Sequence, residues 1–300
     1  MLFTVAALFA IKAVVGAITG SISVWAQAAD SSLDIFAVVI TFMTVGYSVK
    51  PADQEHPFGH GKAEDVGAAI QALLMLGAAG VIVYSAVNRI MSGSTVELTE
   101  AGIAIMAVSA LASIWLSRHV FKVARSSGSV ALEANASNIK ADIYSTTGVL
   151  VGLTVVRVGH GFGVHLDIID PILAIFVSVL ILRATYGVGL MAIGGLTDAR
   201  LPKEEQDTLM SVIMEHSGQF VGVHRVRTRH SGRQHHVDLH MVMPKGTSVE
   251  KAHAMCDHLE DDIGRKLPNA SVTIHVEPCD TTCQQCAVMG CDLRLDKQKV

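Results

Sequence analysis

Residues 22–46, ISVWAQAADSSLDIFAVVITFMTVG, decide how the chain is read. The run is apolar and long enough to cross a bilayer as a helix, which takes about 20 residues. It nevertheless carries two acids, Asp30 and Asp34, four positions apart and therefore on one helix face. A carboxylate at mid-membrane costs on the order of 3 kcal/mol. Apolar sequence continues well past both residues on the C-terminal side, which argues against their snorkelling at a membrane surface. Acids held in lipid at that cost require something to neutralise them.

A second run, ANASNIKADIYSTTG at residues 134–148, repeats the spacing with Asn138 and Asp142. Two such pairs on facing helices supply four oxygen-bearing groups around one point, a donor set that suits a divalent cation. Three buried carboxylates would cost about 9 kcal/mol uncompensated. A bound metal or protons must offset that cost, so the site is expected to alternate between them. Exchange of this kind is transport in outline.

Composition agrees with a membrane chain. Half of the 300 residues are hydrophobic and 17% are charged, with a mean hydropathy of +0.44, which excludes an ordinary soluble enzyme. A net charge of −4, from 23 basic and 27 acidic residues, leaves no basic surface for a nucleic-acid backbone. Six stretches qualify as spans, at about 2–19, 22–46, 66–90, 99–121, 136–158 and 168–196. The second, fifth and sixth are less uniformly apolar, as expected of helices facing protein or a water-filled cavity. The opening stretch lacks a basic n-region and reads as a retained first span, not a signal peptide. Lys50, Lys62, Arg118, Lys122 and Arg125 fall in loops on one side, against Arg89 and Arg157 on the other. The positive-inside rule then places both termini in the cytoplasm.

After the sixth stretch the chain changes character. LPKEEQDTLMSVIMEHSG opens with Pro and acids in a first helical turn, VGVHRVRTRHS and QHHVDLHMVM alternate like strands, SVEKAHAMCDHLEDDIGRKL has helical period, and ASVTIHVEP alternates again. The order αββαβ, with helices on one face of a three-stranded sheet, is the simplest way to bury those apolar stripes. The expected division is a membrane domain at 1–197, a cytosolic α+β domain at 198–279 and a Cys-containing tail at 280–300. Cys279, Cys283, Cys286 and Cys291 crowd the C-terminus and Cys256 lies in a helical stretch, a pattern of reduced thiols without a disulfide framework.

Two further clusters carry metal-ligand chemistry. KPADQEHPFGHGKAED brings Asp53, His56 and His60 within eight residues, a partial metal shell that also reads as a structural or solvated Gly-rich loop. Lys62 and Glu64 beside it either pair across an interface or are solvated. The polar domain is dense in imidazole, with His224, His230, His235, His236, His240, His253, His258 and His275. Strand alternation puts His275 and Glu277 on one face. For the set, metal binding is the preferred reading over a titratable surface.

Six spans, an intramembrane DxxxD, a matching pair in the fifth span, the loop HPFGHGKAE and a His-rich αββαβ tail together resemble the cation diffusion facilitator family, in particular its bacterial zinc and ferrous-iron efflux branch. The resemblance covers nearly the whole chain. It implies a homodimeric, proton-coupled exporter of Mn2+, Fe2+ or Zn2+ in the inner cell membrane, with a ferredoxin-like or metallochaperone-like cytosolic domain that dimerises and binds regulatory metal. Position by position, it implies that Asp30, Asp34 and Asp142 are transport-site carboxylates and that Asp53, His56 and His60 form a loop site. His224, His240, His253, His275 and Glu277 correspond to a cytosolic binuclear site in which the last position is usually Asp. Lys62 corresponds to a residue that pairs with an aspartate after the sixth span, here Asp198. The chain departs from the zinc-transporting members at Asn138, where they place His. An all-oxygen set of Asp30, Asp34, Asn138 and Asp142 leans toward a harder ion such as manganese. The family's pattern also has an N-terminal cytosolic extension before the first span, whereas Met1 of this sequence lies almost at that span, a departure also expected if the true start lies upstream. A metal-sensing membrane scaffold is the rival class, though it would not need acids inside the bilayer. An intramembrane metalloenzyme is the other, and the chain has no HExxH motif.

Overall fold

The computed structural model describes residues 2–19, 22–92, 100–161 and 168–279. The chain divides into two compact units, residues 1–193 and 194–300. The first is built from helices α1 (Leu2–Thr19), α2 (Ile22–Ser48), α3 (Ala63–Ser92), α4 (Glu100–Ser127), α5 (Val130–Gly161) and α6 (Ile169–Leu196). Among the described residues three segments are long and apolar enough to cross a membrane, Ser31–Ser48, Ala63–Ser92 and Pro171–Leu196.

This unit is built inside out. Phe42, Leu73, Val81, Leu111 and Phe176 are exposed, whereas Glu64, Asp65, Gln71 and Asn135 are fully buried. Burying polar groups while exposing apolar ones is favourable only where the surroundings are apolar. Helix α5 belongs to both interior clusters. Ala134 and Ala141 pack with Ala68, Met75 and Ala79 of α3 and Val177 and Ile181 of α6, while Ala136 and Ile139 pack with Val5 of α1, Val38 of α2 and Leu116 of α4. The small residues let the backbones approach closely. At Gly67 a Cβ would stand 2.5 Å from Thr44 Oγ1, and at Gly148 it would stand 2.5 Å from Val177 Cγ2. Any larger side chain there would push α2 or α6 away.

Helix α5 begins at Val130, six residues before the apolar stretch expected to span. Ser129 is the reason, because its Oγ accepts from the Leu132 backbone N–H and so caps the first turn. The same hydroxyl donates to Glu64 Oε2 at 2.5 Å, and Ser48 Oγ donates to Glu64 Oε1 at 2.8 Å. The reading of Glu64 as solvated or as an interface partner is therefore corrected. It is a buried carboxylate joining the ends of α2, α3 and α5 near the α3 N-terminus, whose dipole favours negative charge.

The second unit holds α7 (Lys203–Glu215), β1 (Gly222–Ser231), β2 (Gln234–Met243), α8 (Val249–Lys266) and β3 (Ala270–Pro278). The sheet order is β1-β2-β3, with β1 and β2 antiparallel and β2 and β3 parallel. Val237, Leu239, Met241 and Met243 alternate along β2 and meet Leu209, Val212 and Ile213 of α7 and Met255, Leu259 and Ile263 of α8 in one core. Both helices thus cover one sheet face. In β1 the register shifts between His224 and Arg227, with Arg225 at φ 50°. That bulge lets Val223 and Val226 both join the core, three positions apart. Cys279, expected at the edge of the tail, is buried against Val242, and its N–H donates to the Met243 carbonyl. Cys283, Cys286 and Cys291 lie outside the described residues.

Candidate functional site

Asp34 projects from α2 and Asn138 and Asp142 from α5, and the three line two adjoining cavities. The larger, about 50 Å³, also touches Leu33, Met75, Ser145 and Ile181. The smaller, about 20 Å³, is walled further by Ser31, Ser113 and Asn135. A space of about 50 Å³ into which Asp34, Asn138, Asp142 and Ser145 bring polar groups among apolar neighbours is roomy enough for a water or an ion. Asn138 Nδ2 donates to Asp34 Oδ1 at 3.2 Å, and Ser113 Oγ of α4 donates to Asp142 Oδ2 at 3.2 Å. The i and i+4 spacing on α5 is what turns Asn138 and Asp142 to the same side, and the central place of α5 puts that side inside. Asp30 lies one turn before Asp34 in α2, and its side chain falls outside the described residues.

In the second unit the strand register does the equivalent work. His224 pairs with His240 across β1 and β2, and His240 pairs with His275 across β2 and β3. The three imidazoles form a row on the sheet face turned away from the helices, since their neighbours in sequence Val223, Leu239, Met241, Ile274 and Val276 pack into the core. Glu277 stands two residues beyond His275 on the same face. It accepts from His240 Nδ1 at 2.7 Å and from His224 Nε2 at 2.9 Å. Those two hydrogen bonds, His240 first, hold its carboxyl below the usual glutamate range. One donor atom from each of His224, His240 and Glu277 lies within 4.8 Å of the others. His275 Nε2 is 3.6 Å from Glu277 Oε1. His253 is not brought to this group within the chain. It sits on α8 with its imidazole 75% exposed and 3.6 Å from Asp257.

The loop before α3 gathers the third set. Asp53 Oδ1 accepts from the backbone N–H of Glu55 and of His56, an Asx turn that also holds the carboxyl below its usual value, the His56 N–H contributing most. His56 Nδ1 and His60 Nε2 each lie 3.3 Å from one Asp53 oxygen. The His60 ring is buried edge-on against Tyr47 at 4.6 Å, while His56 is exposed. Two imidazoles and a carboxylate in this arrangement fit a borderline divalent ion.

Comparison with known proteins bears on the whole chain. A family model described as the cation efflux transmembrane domain matches residues 1–196, and one described as the cytoplasmic domain of cation efflux proteins matches residues 201–279. The chain belongs to the cation efflux family. The cation-efflux pump FieF of Serratia proteamaculans (strain 568) is 31% identical over 91% of this chain and 88% of its own length. FieF of Pectobacterium atrosepticum is 30% identical over 87% and 84%. The metal-bound C-terminal domain of the CzcD transporter from Thermotoga maritima is 25% identical, covers 26% of this chain and 94% of that one, and superposes with a TM-score of 0.24.

Two residues of this cation efflux protein escape a reading by charge and spacing. Ser113 touches Asp142 from α4, where nothing in the local sequence distinguishes it from other helical serines. Asn135 is fully buried beside the smaller cavity, and neither atom of its amide meets a protein hydrogen-bond partner. Its position one turn before Asn138 is the signal that would have found it.

Proposed function

We propose that the chain exports divalent metal from the cytosol in exchange for protons, with manganese, ferrous iron or zinc as substrate, as a homodimer in the inner cell membrane. The observation that carries this reading is the convergence of Asp34, Asn138 and Asp142 on shared cavities inside a bundle whose outer surface is apolar. In this reading all six helices of the first unit span the bilayer, and residues 1–197 form the transport domain. Asp30, on the same face of α2 one turn away, completes the donor set. Asn135 adds an amide oxygen to it.

Without metal, protons take the ion's place in neutralising these carboxylates. Cytosolic metal displaces the protons, the bundle opens to the far side, and incoming protons release the ion. Each state is near neutral, which is what lets the acids reside in lipid. Donors that are all oxygen favour manganese over zinc. The cytosolic domain at 198–279 holds regulatory metal on His224, His240, His275 and Glu277. His253, exposed on α8, is the member of the set within reach of a second chain. Asp53, His56 and His60 hold metal at the loop.

Asp34→Ala tests the central claim. Reconstituted in proteoliposomes, it is expected to fold, to keep the metal affinity of the cytosolic domain, and to lose metal-driven proton flux. Flux at the parental rate would refute the site.

A further inference from the structure

The helical layer of the second unit carries a cluster that the reading above leaves unused. His216, at the C-cap of α7, directs its Nδ1 at the Val212 carbonyl at 2.9 Å, one of the helix-end carbonyls left without an intrahelical N–H. A carbonyl only accepts, so Nδ1 carries a proton, which leaves Nε2 either to donate to a carboxylate or to offer its lone pair to a metal ion. That Nε2 faces Asp262 Oδ2 of α8 at 3.0 Å. His258, one turn earlier on α8, brings its Nε2 to 3.9 Å from the same oxygen, and the two rings meet edge-on at 5.0 Å. The three donor atoms all lie within 4.8 Å of one another. Two imidazole nitrogens gathered on one carboxylate oxygen make a donor set that suits a metal ion.

We infer that His216, His258 and Asp262 form a second cytosolic metal site, selective for a borderline divalent ion of the zinc class. Ligands about 2.0–2.1 Å from a tetrahedral ion stand roughly 3.3 Å apart, and the distances of 3.0 and 3.9 Å bracket that value. Arg265 pairs with the other Asp262 oxygen. It is the kind of outer partner that fixes a ligating carboxylate in orientation. His216 is buried and His258 half open, so the protein supplies three ligands from one side and leaves the fourth to solvent. The sites differ in place as well as in donors. His224, His240 and Glu277 lie on the open sheet face, whereas this cluster ties the end of α7 to α8. Metal here fastens the two helices that form the domain's core, independently of the transport reading.

The rival is a plain ion pair in which a proton, not a metal, sits between His216 and Asp262. Full-length protein in detergent, stripped of metal and carrying Glu277→Gln and His240→Ala to silence the sheet site, is titrated with zinc against a chromophoric chelator. His258→Ala and Asp262→Asn, added separately, are each expected to weaken one zinc equivalent per chain by at least about 100-fold, and Arg265→Gln by about tenfold. The zinc-induced rise in the melting temperature of the domain disappears with it. His258 is exposed, so its replacement leaves the metal-free fold in place. Unchanged zinc stoichiometry and affinity in both His258→Ala and Asp262→Asn would overturn the site and leave the ion pair.

Discussion

The two units hold acidic groups by opposite means. In the helical unit, Asp34 and Asp142 come from helices far apart in sequence, and packing of α5 at the centre of two clusters brings them to one cavity. In the α+β unit, Glu277 and its imidazoles are neighbours by strand register, and their face of the sheet is partly open to water. The difference in surroundings sets the difference in chemistry. A carboxylate in a low-dielectric bundle tolerates its charge only with an ion or proton beside it, which on the proposed function makes the group that binds the cargo the one that releases it. Glu277, screened by solvent and held charged by two imidazoles, has no such alternation forced on it. On the function proposed above, one chain then carries an exchange site and a sensing site.

That contrast predicts separable losses. Glu277→Gln removes the charged ligand of the sheet site and is expected to weaken metal binding there by about 10- to 100-fold. Transport at saturating metal continues in vesicles, and only its dependence on cytosolic metal shifts to higher concentration. A variant that loses maximal flux would merge the two sites into one function.

Asn138→His sharpens the comparison from the other side by giving the membrane site the nitrogen donor that the cytosolic site already has. Side-by-side uptake of manganese, ferrous iron and zinc is expected to move toward zinc by roughly tenfold, about 1.4 kcal/mol in relative affinity. The same metal preference before and after the change would show that oxygen donors do not set selectivity.

The smallest effect lies in the pH response of the second unit. Burial holds His235 and His236 below the ordinary histidine value. The unfolded chain therefore takes up protons as pH falls through about 6.5, before the folded domain does. Stability is full above that pH and declines below it. Glu277, whose carboxyl is depressed, adds a loss of the same sign at lower pH. Amide protection factors along β2 in the full-length protein, with the intrinsic pH dependence of exchange divided out, should fall between pH 7.5 and 5.5, and His236→Gln should flatten part of the slope. An unaltered slope would assign it to other groups.

Much of this was legible without coordinates. The i and i+4 pairs at Asp30, Asp34, Asn138 and Asp142, the alternation along three strands and the loop Asp53, His56 and His60 are local patterns, and local geometry follows from backbone periodicity alone. What periodicity leaves open is which face meets which neighbour. Packing decided that Glu64 is buried between Ser48 and Ser129, that Asn135 and Ser113 join the cavity, and that His216 and His258 meet over Asp262. The β1 bulge is the plainest case. Simple alternation would put Val226 on the side of His224, and an added residue in the strand, visible only once its partner is known, sends Val226 to the core and keeps His224 beside His240 and Glu277. The chain's sequence determined which groups exist and at what spacing, because those are covalent facts. Their convergence belongs to tertiary structure, because it depends on contacts between segments whose relation no single stretch encodes.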